Sequence, residues 1–291
     1  MDQMKFGARK LKYRLRELLD IPSDLRFAVE RSLHATKLPK VVMPDILESL
    51  STSGIAVTHL ENIELEGTGD LLTALTRLMT VIRELNPAEN HGFKLPPYAA
   101  IMNPVILAKD YPEVPLWGLQ EPLLDLIENF IGSPLVCMGA SLRRDLAIPD
   151  SSGTRRWHID PNDRRYPKII LYLNDVYQDS GPFQYIPSFF HKELDEFRGV
   201  KSVSMQEMVA QVSPEYWCSV YGRAGTVIFV DTANLFHRGA VPRKERYTLF
   251  FSYTSKRPKR PDLCNRAHMR DSMIELNRLP LSARQRDAMF F

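Results

Sequence analysis

The chain has 291 residues, long enough for one large domain or two small ones, and its 44% hydrophobic and 25% charged residues are typical of a globular protein. A net charge of +3 does not favour a nucleic-acid partner, and three separated cysteines without a C-x-x-C motif argue against a disulfide framework or a zinc knuckle. No apolar run approaches the roughly 18 residues of a membrane span, so we expect a cytoplasmic protein without a membrane partner.

The first part of the chain, residues 1–134, is predicted to be mostly helical. A first helix covers 9–19, with the leucines at 11, 15, 18 and 19 on one face, and we expect it to end at Pro22. Residues 55–60 alternate as a short strand. Further helices are predicted over 44–54, over 70–85 with Asp70 as the N-cap, and over 121–132 with Pro122 in the first turn.

From residue 135 to 255 the pattern changes to short apolar runs separated by turn residues. About seven such runs predict the strands of an antiparallel barrel or sandwich. A partly helical insertion over 188–217 interrupts them, and 256–291 predicts a helical tail. We therefore expect a single domain over 1–291, mainly β with an α layer, present as a monomer or a homodimer.

Three His-x-carboxylate pairs occur where about one is expected by chance from 7 histidines and 35 carboxylates. In chain order they are His59/Glu61, His158/Asp160 and His191/Glu193. In a strand, residues i and i+2 project from the same face about 6.6 Å apart and can bind one ion, whereas a helix separates them. His191/Glu193 lies in a predicted helix, and His59/Glu61 has no obvious partner strand with a second histidine. His158/Asp160 is therefore the best candidate for metal binding.

The middle pair ends the predicted strand "TRRWHID", and Pro161 then stops the strand. His237, on a later predicted strand, could supply a third ligand, although a histidine standing alone there would more often be a core residue. Two histidines and one carboxylate with open positions form the facial triad of non-haem Fe(II) oxygenases. Arg246 opens the next strand, where it either meets an anion inside the fold or is a solvated turn residue.

Two segments carry a family resemblance: "WHIDPNDRRYPKIILYLNDVYQDSGPFQYIPSFFHK" and "GTVIFVDTANLFHRGAVPRKERYTLFFSY". Over roughly residues 135–255 the chain resembles the phytanoyl-CoA dioxygenase family of Fe(II)/2-oxoglutarate oxygenases. The resemblance implies a double-stranded β-helix, a jelly-roll core of the cupin kind, with N-terminal helices. It also implies that His158, Asp160 and His237 bind Fe(II) and that Arg246 binds the C5 carboxylate of 2-oxoglutarate.

The sequence departs from the family pattern at several positions. The usual I-P-G-S-H turn is replaced by "IPSFFHK", in which we interpret His191 as structural. Some relatives have a hydroxyl two residues after the distal histidine, where this chain has Gly239, so another group must help to hold the co-substrate. The family often has a polar or basic residue on the strand before W-H-x-D. Arg143 and Arg144 are the candidates for this second co-substrate contact.

The resemblance implies a reaction in which 2-oxoglutarate and O₂ are converted to succinate and CO₂ while a substrate C–H bond is oxidised. Related halogenases lack the carboxylate that this chain has at Asp160, so hydroxylation, desaturation, demethylation or ring rearrangement is favoured. We expect a small polar or anionic substrate. Its candidate contacts are Trp157, Phe183, Tyr185 and Arg155, and Asn174 and Asp231 are candidates for orienting the ligands. The alternatives are a cupin-like metal hydrolase or isomerase that does not use 2-oxoglutarate, and a non-catalytic binding module.

Overall fold

The computed structural model describes residues 2–87, 96–264 and 267–290. The helices of this part of the chain are α1 (Asp2–His34), α2 (Pro44–Ser53), α3 (Thr68–Glu84), α4 (Pro104–Asp110), α5 (Glu113–Trp117), α6 (Glu121–Ile131), α7 (Met205–Gln211), α8 (Pro261–Cys264), α9 (Ala267–Leu276) and α10 (Ala283–Asp287). The strands are β1 (Ile55–His59), β2 (Ala99–Ile101), β3 (Leu135–Asp145), β4 (Pro167–Tyr172), β5 (Phe183–Tyr185), β6 (Cys218–Val220), β7 (Thr226–Asp231), β8 (His237–Gly239) and β9 (Arg246–Ser255). Among these helices, none has the length and apolar character needed to cross a membrane.

The strands form two antiparallel sheets. The large sheet has the order β1-β7-β4-β9-β3-β2, and the small sheet has the order β6-β5-β8. His158 pairs with His237 through an isolated bridge, so the backbone at His158 extends the small sheet beyond β8. From β3 onward the chain thus crosses repeatedly between the two sheets. This winding is that of an eight-stranded double-stranded β-helix, so the predicted fold class is confirmed.

Alternation along the strands divides apolar side chains between two clusters. On β4, Ile169 and Leu171 point outward and pack in the main cluster with residues of the helices. Ile170 and Tyr172 point inward and share a second cluster with Phe183 of the small sheet. The two sheets therefore face each other across this inner cluster.

The N-terminal part of the chain contributes more than a helical layer. β1 pairs with β7 at one edge of the large sheet, and β2 pairs with β3 at the other edge. The sheet predicted over 135–255 therefore includes strands from outside that range. The reason is that each edge of the core would otherwise expose unpaired backbone N–H and C=O groups, which these two short strands cover.

α1 continues through Pro22 to His34, so the predicted end of this helix is wrong. A proline inside a helix costs about 3 kcal/mol. Contacts with the body of the protein hold the helix beyond this residue: Phe27 is buried under Arg164, and Asp24 forms an ion pair with Arg164 at 2.7 Å. The predicted apolar face is exposed at Leu15, Leu18 and Leu19, while the side chain of Leu11 lies outside the described residues.

Apart from the end of α1, the helix boundaries follow the predicted signals with one exception. α2 and α6 end at Gly54 and Gly132, whose φ angles of 78° and 79° are left-handed and suit glycine. Pro122 lies in the first turn of α6, as predicted. α3 begins two residues before the predicted start, with Gly67 as its N-cap, so Asp70 lies within the first turn and is not the cap.

Candidate metal centre

His158, Asp160 and His237 come together where the segment at His158 meets β8. The backbone N–H of each histidine donates to the carbonyl of the other, at 3.0 and 2.9 Å, which sets the two rings side by side. One ligand atom from each of the three residues lies within 4.8 Å of the other two. Nε2 of His158 is 3.9 Å from Asp160 Oδ1, and Nε2 of His237 is 3.7 Å from Asp160 Oδ2. The spacing suits a single ion between them.

Hydrogen bonds fix the tautomer of both imidazoles. Nδ1 of His158 lies 2.8 Å from the carbonyl oxygen of Arg156, and Nδ1 of His237 lies 2.9 Å from that of Leu235. A carbonyl oxygen only accepts, so the ring hydrogen is on Nδ1 and the Nε2 lone pair faces the carboxylate. Burial lowers the pKa of both histidines, that of His237 to about 3, so both rings are neutral near pH 7. Two neutral nitrogen ligands with a backbone-oriented Nδ1–H are the arrangement that holds a divalent metal.

The carboxylate of Asp160 is ionised despite its burial. Burial alone would raise its pKa, but the Lys168 ammonium, joined at low pH by the imidazoles once they are protonated, outweighs that effect and lowers the pKa well below its usual range. Lys168 Nζ donates to Asp160 Oδ2 at 2.6 Å. The sequence analysis missed this lysine, although a single lysine at the start of the apolar strand "PKIILY" is a signal for an inward charge.

The three residues open onto a cavity between the sheets, with a volume of about 100 Å³. Both sheets line it, and its walls combine apolar residues with an unusual number of cations. The apolar residues are Ile170, Tyr172, Phe183 and Phe250, and the cations are Arg143, Arg155, Lys168, Arg238 and Arg246.

Arg246 points into this cavity and is 7% exposed, so the solvated-turn interpretation is wrong. Its guanidinium donates to Asp145 Oδ2 at 2.9 Å and to the carbonyl of Gly181. Arg143 donates to the other oxygen of Asp145 at 2.9 and 2.6 Å. Burial would raise the pKa of Asp145, but the two guanidiniums lower it to about 2. This group of two cations and one carboxylate carries one excess positive charge.

Two buried polar atoms of β9 have no hydrogen-bond partner within the described chain. They are Nε of Arg246 and Oγ1 of Thr248, and both residues line the cavity. Because buried donors are nearly always satisfied, this pair indicates a place for a bound acceptor such as a carboxylate. The sequence analysis missed Thr248; the signal was its position two residues after Arg246 on the same strand, and hence on the same face.

Gly239 lies against Arg246. A Cβ atom at residue 239 would lie 2.9 Å from Nη2 of Arg246, so a side chain here would need a small shift of the guanidinium. Thr248 offers a hydroxyl in the same cavity instead, which explains how the chain can lack the usual one.

Arg144 does not reach the cavity, so its predicted contact with the co-substrate is wrong. Its guanidinium pairs with Glu245 at 2.8 Å and donates to the carbonyls of Arg83 and Leu85. Successive residues of a strand project to opposite faces, so only one of Arg143 and Arg144 can point inward. The structure selects Arg143.

The predicted substrate contact at Trp157 is also wrong. The residue is fully buried, and its indole packs edge-on against Trp217 with the ring centroids 5.0 Å apart. It precedes His158 on an extended segment, so its side chain points away from the cavity that the histidine faces. Tyr185 lies beside Phe183 with a centroid separation of 6.4 Å but is outside the cavity wall. Phe183 does line the cavity, and its ring stacks on His237 at 5.6 Å.

Arg155 borders the cavity but its guanidinium is engaged elsewhere. It donates to three carbonyl oxygens of one loop, those of Leu146, Ile148 and Asp150. It also lies 3.7 Å from the centroid of the Tyr98 ring. These contacts hold the loop between β3 and the His158 segment, so the residue shapes the wall of the cavity.

The two residues proposed to orient the ligands act on the backbone. The side chain of Asn174 accepts from the N–H of Tyr247 at 2.8 Å and donates to the carbonyl of Glu245 at 3.0 Å, which fixes the start of β9. Asp231 accepts from the N–H of Tyr166 at 3.0 Å and from the N–H of Ala233 at 3.2 Å, and the second bond shapes the turn before His237. Neither contacts the three candidate ligands directly.

The other two His-x-carboxylate pairs lie away from the cavity. Nε2 of His59 is 3.0 Å from the carbonyl of Ala224, and Glu61 pairs with Arg223 at the surface. His191 is not part of the candidate metal cluster, which among the described residues contains only the three named above. A structural interpretation of both histidines agrees with these positions.

No protein-family model matches the chain, and no curated protein matches it. Among solved structures, EctD from S. alaskensis, crystallised with 2-oxoglutarate and 5-hydroxyectoine, is 15% identical over 77% of this chain and 81% of its own, with a TM-score of 0.50. The chain shares the fold of EctD. HygX from Streptomyces hygroscopicus, with nickel and 2-oxoglutarate bound, is 16% identical over 72% of this chain and 86% of its own, with a TM-score of 0.46. The 2-oxoglutarate-dependent epimerase SnoN is 14% identical over 74% and 83%, with a TM-score of 0.47. Likeness at this identity extends to the fold alone.

Proposed function

We propose that the protein is a non-haem Fe(II)/2-oxoglutarate-dependent dioxygenase. It hydroxylates or oxidatively remodels a C–H bond of a small polar metabolite or natural-product intermediate. The observation that carries the proposal is the convergence of two neutral imidazole Nε2 atoms and the Asp160 carboxylate at one end of a cavity that also holds Arg246. The resemblance of residues 135–255 supports it, as does the 2-oxoglutarate complex named in the structure of EctD.

His158, Asp160 and His237 would hold the iron on one side, which leaves the opposite positions free for other ligands. When bound, iron with 2-oxoglutarate and O₂ supplies the oxidation of a C–H bond with release of succinate and CO₂. The carbonyls of Arg156 and Leu235 keep both imidazoles oriented and their Nδ1 atoms protonated. The protein therefore fixes the direction of each ligand before the metal arrives.

Arg246 and Thr248 would bind the C5 carboxylate of 2-oxoglutarate. The unpartnered Nε–H and hydroxyl supply two donors, and the excess charge of the Arg143–Asp145–Arg246 group supplies attraction. Arg143 contributes to this positive charge because it shares the single Asp145 carboxylate with Arg246, so one of the two guanidinium charges is not compensated. Phe183, packed on His237, forms an apolar wall that excludes water from the reacting end of the cavity.

We propose a cytoplasmic protein, present as a monomer or a homodimer, whose partner is a small molecule and not a nucleic acid or a membrane. A cupin-like hydrolase or isomerase with the same three ligands would have no use for a buried arginine beside an unpartnered threonine hydroxyl.

The test is anaerobic addition of Fe(II) and 2-oxoglutarate to the purified protein. We expect a visible charge-transfer band, which Asp160→Ala and His237→Ala abolish. Glu61→Ala is the matched control, because it removes the carboxylate of another His-x-carboxylate pair at the surface and should leave the band intact. Admission of O₂ should then release succinate. Metal binding without a band in the unaltered protein would favour the hydrolase or isomerase, and absence of metal binding would favour a non-catalytic module.

A further inference from the structure

The second half of α1 faces the body of the protein with its polar side. Asp20 accepts two hydrogen bonds from Arg260, at 2.9 and 2.7 Å, and Oε2 of Glu30 lies 3.5 Å from a guanidinium nitrogen of Arg257. Residues on this side with contacts to the body include Asp20, Asp24, Phe27, Glu30 and His34. Only Phe27 among these five is apolar. The docking of α1 on the body therefore uses mainly ion pairs.

The opposite side of α1 is apolar and exposed. Leu15, Leu18, Leu25 and Val29 form an apolar row along it and are between 53% and 64% exposed. Leu19, beside this row, is 80% exposed. A helix ordinarily turns its apolar side toward the core, and a monomeric protein rarely leaves a long apolar row in contact with water. The reversed orientation of α1 indicates that a partner covers the apolar row.

The spacing of the apolar row indicates what kind of partner covers it. In the sequence the row continues toward the N-terminus, because apolar residues occupy positions 4, 8, 11, 15, 18, 22, 25 and 29, in alternating steps of four and three residues. Such a heptad repeat keeps an apolar row in contact with a second helix along its whole length, as in a coiled coil. Positions 4–29 correspond to roughly 37 Å of helix. The matching partner is another long amphipathic helix, and α1 of a second copy meets this description.

The charges of α1 favour an antiparallel pair of these helices. Residues 5–16 contain six basic and no acidic residues, whereas residues 17–30 contain four acidic residues and one basic residue. The sign of the charge changes at the midpoint of the apolar row, between positions 16 and 17. A parallel pair would place the two basic segments side by side, where they repel each other. An antiparallel pair places each basic segment beside the acidic segment of the other helix, so like charges stay apart.

We propose that α1 forms an antiparallel coiled coil with α1 of a second copy of the chain, so that the protein is a homodimer. A two-fold axis at the midpoint of the apolar row brings position 15 of one copy to position 18 of the other, and likewise 11 to 22, 8 to 25 and 4 to 29. Every apolar position of the row thus meets another apolar position. A helix that lies on a membrane surface is typically basic along its length, whereas the second half of α1 is acidic.

The test measures the mass of the purified protein by sedimentation equilibrium over a range of concentrations. We expect a dimer with twice the 33.5 kDa of one chain. Leu18→Glu should raise the dimer dissociation constant about a hundredfold or more, because the two-fold axis places two unpaired charges in the interface. Leu72→Glu, at a leucine of α3 that is 51% exposed, is the matched control and should leave the mass unchanged. Both variants should keep the tryptophan fluorescence of the unaltered protein, since neither substitution enters the core.

The double variant Leu15→Lys/Leu18→Glu tests the direction of the two helices. In an antiparallel pair each new lysine faces a new glutamate of the other copy, so the dimer should bind about tenfold or more tightly than that of Leu18→Glu alone. In a parallel pair like charges would meet, and no recovery would occur.

Three results would overturn the inference. The first is an unaltered protein that stays monomeric at every concentration, and the second is a dimer that Leu18→Glu does not weaken. The third is a double variant without recovery, which contradicts the antiparallel arrangement. If the monomeric protein sediments with vesicles of phosphatidylcholine and phosphatidylserine, and Leu18→Glu prevents this, the apolar row binds a membrane surface instead.

Discussion

Replacement of Arg246 by alanine should weaken 2-oxoglutarate binding far more than iron binding. Arg246 is 7% exposed, and its Nε–H has no partner in the described chain, so a bound carboxylate would gain a charge-assisted hydrogen bond in a largely water-free site. Such a bond contributes about 1.5–3 kcal/mol. Because about 1.4 kcal/mol corresponds to a factor of ten, the apparent dissociation constant should rise about ten- to hundredfold.

The companion variant is Thr248→Val, which removes a neutral donor and keeps the shape of the side chain. Thr248→Val should raise the apparent dissociation constant of 2-oxoglutarate only about two- to tenfold, since a neutral hydrogen bond contributes about 0.5–1.5 kcal/mol. Arg243→Ala, at an exposed neighbouring arginine, is the control and should change nothing. Arg246→Lys keeps a positive charge beside Asp145 and tests whether any loss comes from the fold.

The dissociation constants of 2-oxoglutarate and of Fe(II) are measured in anaerobic titrations, in which the visible absorption band reports binding. One titration varies 2-oxoglutarate at saturating Fe(II), and the other varies Fe(II) at saturating 2-oxoglutarate. If Arg246→Ala weakens both to the same extent, the arginine supports the site as a whole and does not anchor the co-substrate. The assignment of the C5 carboxylate would then be abandoned.

Three further predictions follow from the packing and charges. The folded pKa of Asp145 is about 2, below its unfolded value, so its contribution to the free energy of unfolding is present above about pH 4 and lost toward pH 2; urea denaturation of Asp145→Asn should show a flatter pH dependence in this window. A Cβ at residue 118 would lie 2.4 Å from the Phe251 ring, so Gly118→Ala should lower the free energy of unfolding by about 1–3 kcal/mol, with partial rescue by Phe251→Leu. Arg143→Ala should raise the 2-oxoglutarate requirement, whereas Arg144→Ala should not, as measured by succinate release.

Local pattern was enough to predict the features that depend on neighbours in the chain. The helices α2 and α6 end at glycines that adopt left-handed φ angles, as the caps predicted. The strand predicted over 154–160 is wrong, since the chain there forms a 3-10 turn at Gly153–Arg155 and isolated bridges at Trp157 and His158, but the expected convergence of the His158 and Asp160 side chains is observed. These predictions succeed because backbone sterics and side-chain direction act over a few residues.

The wrong predictions of cavity contacts concern which side of an element is covered, and the wrong end of α1 concerns a contact with a distant residue. Alternation separates Arg143 from Arg144 and Trp157 from His158, but it does not say which face is inside. α1 passes Pro22 because Phe27 and Asp24 contact Arg164, a residue 140 positions away in the chain from Asp24. Such contacts have no local signature, so the sequence could not reveal them.

The sequence by itself determined the kinds of groups available: two histidines and an aspartate in strand settings, an arginine nine residues after the second histidine, and a β-rich core. Only the tertiary structure decided that Lys168 pairs with Asp160, that Thr248 lines the cavity with its hydroxyl unpartnered, and that Arg144 faces away. The physical reason is that a binding site is made by the pairing and facing of distant strands. The register of those strands is set by burial across the whole core and not by any short stretch of chain.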